Sequence, residues 1–223
     1  EFAAQAEANA TNSAYADAVF FNAVGQFASA FGGEAALELT NDGSISVGIL
    51  AEANGDAVAN ALAVASHEIG QVAFAIGNNA TVELDNSGSI DLEVGAIAEG
   101  SLASATGALA TGIIQLASAG GDGEASVTLD NSGSIDMTLL ASAESPDGAG
   151  GAFAQLGVAV SQLAAAVTSQ FASGTTGGLT QFTQTITPSG PPSLVFDNSG
   201  SLDMEVAAMA EGGTSAVAEA TGN

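Results

Sequence analysis

The chain has 223 residues, of which 25 are acidic, one is histidine and none is lysine or arginine, giving a formal net charge of -25. Without cations it cannot neutralise phosphates, which excludes nucleic acid as a partner, and an anionic membrane surface repels it for the same reason. Apolar residues nonetheless make up 47% of the sequence and mean hydropathy is +0.36, so the chain has a core to bury. No run reaches the roughly 18 uninterrupted apolar residues of a membrane span, and no membrane insertion is expected.

Near the N-terminus Ala6, Ala8 and Ala10 alternate with Glu7, Asn9 and Thr11. A period of two belongs to a strand, because an amphipathic helix spaces its apolar residues at three and four. Polar partners face water, so the alanines face inward. The phrase L-x-N-x-G-x-I follows as LTNDGSISV at Leu39. Further on, Ala57, Ala59, Ala61, Ala63 and Ala65 alternate with Val58, Asn60, Leu62, Val64 and Ser66, and Phe74 and Ile76 continue the outward set. That apolar outer face is either covered by another part of the chain or a contact between protein rods. Alanine is the best helix former and a poor strand former, so helix is the competing reading, above all over 151–174.

The phrase returns as LDNSGSIDL at Leu84, LDNSGSIDM at Leu129 and FDNSGSLDM at Phe196. Asn41, Gly43, Asn86, Gly88, Asn131, Gly133, Asn198 and Gly200 read as turn residues, since Asn and Gly tolerate left-handed backbone, and Ile90, Ile135 and Leu202 then re-enter the core. The four asparagines are separated by 45, 45 and 67 residues. Those spacings share a divisor of about 22, which makes the chain about ten such units.

Two more markers run in register with the first. Gln26, Gln71 and Gln115 precede the motifs, with Gln184 in the same place before the fourth. Ala51-Glu52, Ala98-Glu99, Ala143-Glu144 and Ala210-Glu211 follow them. A second copy joined head to tail places the next motif asparagine one residue short of the 67-residue spacing already seen.

Strands between Gly-rich turns in such units describe an all-β fold, a parallel β-solenoid with a thin Ala/Gly-rich core. It occupies residues 1–223 as a single domain with repeats starting near 39, 84, 129 and 196, residues 1–38 completing the coil set of a preceding subunit or repeat. Ten coils give a rod of about 48 Å. The rival is one wide coil per 45 residues, which stacks the motifs directly, lets asparagine form an amide ladder, and rises about 19 Å over four coils.

Asp85, Asp91, Asp130, Asp136, Asp197 and Asp203 are calcium candidates, because with the motif serines they alternate oxygens along the chain. The glycine is misplaced for an EF-hand and the distal glutamate is out of position. Thr40 and Ser46 replace both aspartates in the first copy. Diffuse gathering of divalent cations such as calcium fits better, since so many carboxylates repel one another. No resident cofactor is expected. His67 stands alone in ASHEIG and there is no basic side chain to hold a substrate, so the chain is not expected to be an enzyme and no catalytic residue is assigned. Cysteine is absent. Asn9-Ala10-Thr11 and Asn79-Ala80-Thr81 match the glycosylation pattern.

Read as Leu84-Asn86-Gly88-Ile90 and Leu129-Asn131-Gly133-Ile135, the motif resembles the haemagglutinin-type repeats of large bacterial surface adhesins and related β-solenoid proteins. The resemblance covers the four motifs and their flanks. It implies a right-handed parallel β-helix, secretion, and a role in adhesion or matrix. A chain that starts at Glu1 has either lost a signal peptide or been excised from something longer, and one without trypsin sites suits life outside the cell. The expectation is a secreted, extracellular or cell-surface structural protein. Its partner is itself, stacked head to tail into a filament or biofilm matrix fibre, with lateral bundling. The alternative is a stalk or ligand-binding segment of a large adhesin; a third reading, an ice-binding solenoid, rests on TQFTQTIT near Thr180.

Overall fold

A computed structural model describes the backbone of residues 2–176, 179–188 and 192–222, with side chains described outside 167–191. The first coil holds β1 (Phe2–Ala10), β2 (Ser13–Phe20), β3 (Val24–Phe31) and β4 (Ala35–Asn41). The second holds β5 (Ser44–Gly55), β6 (Val58–Ile76) and β7 (Ala80–Asn86), and the third β8 (Ser89–Glu99), β9 (Leu102–Gly120) and β10 (Ala125–Asn131). The fourth holds β11 (Ser134–Ser145), β12 (Ala149–Thr176), β13 (Leu179–Pro188) and β14 (Ser193–Asn198); β15 (Ser201–Gly212) and β16 (Ser215–Gly222) begin a fifth. Strand, not helix, holds 151–174.

Equivalent strands stack into three sheets. Sheet A runs β1-β5-β8-β11-β15 and sheet C runs β4-β7-β10-β14. In sheet B, β2 and β3 lie end to end on β6, followed by β9, β12 and, over the first half of β12, β16. Coil-to-coil pairing is parallel throughout, and the fold is a parallel β-solenoid.

The coil is twice as large as the division into units of about 22 suggests. Ala6 pairs with Ala51, Ala51 with Ala96 and Ala96 with Ala141, so one coil takes 45 residues. The 67-residue spacing is one coil plus an excursion. At Val167, the last residue of β12 paired with β9, the strand runs on and returns antiparallel as β13, with Val167 opposite Pro188. Five rows in sheet A rise about 19 Å, and the ten-coil rod of about 48 Å gives way to a short, broad slab. The 19-residue strands of sheet B are about 60 Å long.

Sheets C and A follow one another along one layer, and sheet B runs back along the other. One core cluster lies between sheet A and the first half of sheet B, where Val47, Ile49 and Ala51 meet Ala59, Ala61 and Ala63. A second lies between sheet C and the second half of sheet B, around Ala73, Ala75, Ala80 and Val82. The alternation in β6 falls as the sequence predicts: Ala59, Ala61, Ala63 and Ala65 are buried, and Val58, Leu62 and Val64 are half-buried on the outside. Poor strand formers serve here because inward alanines let two layers pack, while fully buried Leu84, Ile90, Leu92, Leu129, Ile135 and Leu139 contribute about 1.5–3 kcal/mol each.

Candidate functional site: amide ladders, acidic columns and open ends

At the corner between sheets C and A the motif asparagines form a ladder. Asn41 Nδ2 donates to Asn86 Oδ1, Asn86 Nδ2 to Asn131 Oδ1 and Asn131 Nδ2 to Asn198 Oδ1, each at 2.6 Å. The second hydrogen of each Nδ2 goes to a backbone carbonyl one coil up, that of Ser89, Ser134 or Ser201, at 2.9 to 3.0 Å. These residues are therefore rungs rather than left-handed turn formers. No described residue other than glycine has positive φ, and the positive-φ glycines are Gly32, Gly77 and Gly121, at the turn from sheet B to sheet C.

The motif glycines answer a different need. A Cβ on Gly88 would strike the carbonyl of Gly43 below, one on Gly133 that of Gly88, and one on Gly200 that of Gly133, whereas a Cβ on Gly43 meets nothing. Gly88→Ala should lower stability by about 3 kcal/mol, and Gly43→Ala should leave the thermal melting midpoint nearly unchanged. Equal melting of the two variants would contradict this account of the corner.

A second ladder crosses the slab with opposite polarity. Gln71 Nε2 donates to Gln26 Oε1 at 2.7 Å, and Gln115 to Gln71 and Gln162 to Gln115 at 2.9 Å. Each also donates across to a sheet C carbonyl, of Glu83, Thr128 and Val195 respectively, as Gln26 does to Glu38. The fourth place belongs to Gln162, not to Gln184, which lies on β13 outside the residues with described side chains. Comparing VSQLAAA at Val160 with IIQLASA at Ile113 would have found it. The third marker shifts too: Glu99, Glu144 and Glu211 share a column whose lower members are Asn54 and Asn9 rather than Glu52. Asn54 Nδ2 donates to Glu99 Oε2 at 3.4 Å.

The calcium candidates stack into two separate columns, Asp85-Asp130-Asp197 on sheet C and Asp91-Asp136-Asp203 on sheet A, with Thr40 and Ser46 at their lower ends. Among the described residues no group of three or more His, Cys, Asp or Glu is arranged to hold a metal ion. Like charges opposite one another on neighbouring strands are destabilising, and the chain supplies no counter-charge. Calcium chloride should therefore raise the melting temperature, and sodium chloride at matched ionic strength should recover much of the effect. No response to either would show that the columns carry no net repulsion.

His67 pairs with Thr111 on sheet B and its backbone N–H donates to Phe21. Its neighbour Glu68, which the sequence reading passed over, is fully buried, and neither carboxyl oxygen has a hydrogen-bond partner. Burial pushes its pKa up from 4.5 to about 7. Its equivalent in the coil above is Gly112, where a Cβ would strike the Met137 side chain, and in the next Ala159. Of the glycosylation candidates, Asn9 donates to Glu7, and Asn79 Oδ1 accepts from the Glu124 backbone N–H. The threonines near Thr180 lie on β13, whose side chains are outside the described set.

Interior columns run out at both ends of the slab. Met204 sits in the column of Met137, and Phe196 in that of Leu129; the lower residue of each pair is 1% exposed or less, the upper about half. At the lower end Phe2 takes the place of Val47 and is 43% exposed. The upper end is stepped, because β15 and β16 stand one row above the second half of β12 and β14. No protein-family model, curated protein or solved structure matches this chain.

Proposed function

We propose that this is a secreted structural protein whose solenoids stack head to tail into an extracellular filament or matrix fibre. The open core carries the reading: Met204, Phe196 and Leu194 stand half exposed on the top strands of their sheets, directly above the buried Met137, Leu129 and Val127 of the same columns. Repeat proteins ordinarily cap such edges.

Extending the register by one row tests the fit. Met204 meets Phe2 of the next copy, and Val206, Ala208 and Ala210 meet its Ala4, Ala6 and Ala8. On sheet B, Ala216, Ala218 and Ala220 meet Ala14, Ala16 and Ala18 of that copy. Large faces large at Met204 and Phe2, and alanine faces alanine at Ala208, Ala210, Ala216, Ala218 and Ala220. Outside, Glu211 comes beside Asn9 of the next copy, as Glu99 lies beside Asn54. Glu219 comes against Asp17 of that copy, a like-charge contact that divalent cations would relieve. The contact spans sheet A and the first half of sheet B, so the join is a coil and a half, not three equal units. The lack of trypsin sites and the resemblance to secreted adhesin repeats support an extracellular setting.

Electron microscopy of the purified chain with calcium should show fibres with an axial repeat of about 24 Å, five rows per subunit. Met204→Glu should abolish them, whereas Ser142→Glu on the outer face of sheet A should not. Isolated slabs at every concentration would overturn the proposal and favour a segment of a longer adhesin, whose further coils cover the ends.

A further inference from the structure

The 25 carboxylates are not spread evenly over the slab. Sheets A and C carry them in columns on one layer. Across β6, β9 and residues 149–166 of β12 the one acidic residue is Glu68, and it is buried. The outer face of sheet B presents Leu62, Val64, Phe74, Leu116, Phe153 and Leu163. Phe74, Phe153 and Leu163 are 37%, 41% and 56% exposed, so no described part of the chain covers them. Outward carboxylates appear on this sheet at Asp17 and Glu219, the two edge rows of a single column that runs through Leu62, Thr106 and Phe153.

We infer that the outer face of sheet B is a lateral self-association surface on which two copies pack back to back. Charge selects the occupant. In a population of chains with no cation, this is the broad face that another copy can approach without bringing carboxylates together. Pairing B on B also turns both acidic layers outward, as far from each other as the slabs allow. Area agrees: a face about 60 Å long and about 20 Å high offers about 1,200 Å² per copy, so a pair buries about 2,400 Å², more than the usual 1,200–2,000 Å² of a stable complex. Large apolar side chains gathered on one face, here set among neutral polar ones such as Asn60, Ser104, Thr106 and Gln155, mark an association surface. Two sheets packed face to face in this way form an additional sandwich layer about 10 Å deep. The surface is separate from the open ends and does not depend on their stacking.

The natural absence of cysteine makes the test direct. Thr106→Cys, Ala108→Cys and Leu116→Cys, introduced singly, should give a disulfide-linked species of twice the 21.4 kDa chain mass under mild oxidation. Ser132→Cys on the acidic layer should not. Adding Met204→Glu, which blocks end-to-end growth, should leave the cross-link intact, and adding Leu62→Glu should remove it while circular dichroism keeps the strand signal. Failure of all three cysteines to cross-link, or equal cross-linking through Ser132→Cys, overturns the inference. So does flotation of the uncross-linked chain with phosphatidylcholine vesicles, which would assign the face to a lipid surface. Absence of fibres from chains that keep Met204 and still cross-link would count against head-to-tail stacking alone.

Discussion

Asn86→Ala should lower the free energy of unfolding by about 4 kcal/mol, read as a reduced urea midpoint at unchanged slope. Asn86 is completely buried and sits mid-ladder, accepting from Asn41 and donating to Asn131 and to the Ser134 carbonyl. Truncation leaves three groups without those partners in a region water does not reach, and each such group costs about 1–3 kcal/mol. Asn198→Ala is the control. It removes the last rung, where water can replace the lost acceptor, and should cost about 1 kcal/mol. If the two variants unfold together, the ladder is not what holds the corner.

The second large effect is one of pH. Glu68 has a folded-state pKa of about 7 against an ordinary 4.5, because burial penalises its charged form and nothing bonds to it. The folded state thus holds this proton more tightly than the unfolded chain. Its contribution is fully present below pH 4.5 and is lost as the pH rises through 7. The loss amounts to about 3 kcal/mol once both states are ionised. Measured as wild type minus Glu68→Gln, which subtracts every other carboxylate, stability should fall between pH 4.5 and 7 and level off above. Glu68→Ala, which matches Ala159 in its column, should exceed wild type in stability at pH 8. A difference curve that stays flat from acid to alkaline pH would mean that the carboxyl finds a partner or water.

Alternation of alanine with larger residues and the recurrence of L-x-N-x-G-x-I were enough to read parallel strands stacked in a solenoid. The coil size was misdivided because the excursion beyond Val167 lengthens one spacing by about half a coil, which mimics a common divisor. The asparagines were read first as turn formers and as an amide ladder only with the rival coil of 45 residues, which is the one found: an amide has both a donor and an acceptor, so identical residues one row apart satisfy each other, while Asn41 Oδ1 also accepts from the Gly43 N–H of its own corner. The motif glycines follow the same logic, since what excludes a Cβ at Gly88 is the carbonyl of Gly43, 45 residues earlier. Glu68 escaped notice because it lies where the inward parity of β6 slips, Glu68 and Ile69 being buried in succession. Once the register is known, a column holding glutamate beside glycine and alanine is plain.

Each coil spends 45 residues to advance about 4.8 Å, or about 0.1 Å of length per residue, where an α-helix gains 1.5 Å. As a tether this is an extravagant use of polypeptide. What every added coil does deliver is width: one more row about 60 Å across on each of two faces, one charged and one apolar. The molecule grows as tape rather than as string, and selection on its length acts on how much surface it lays down.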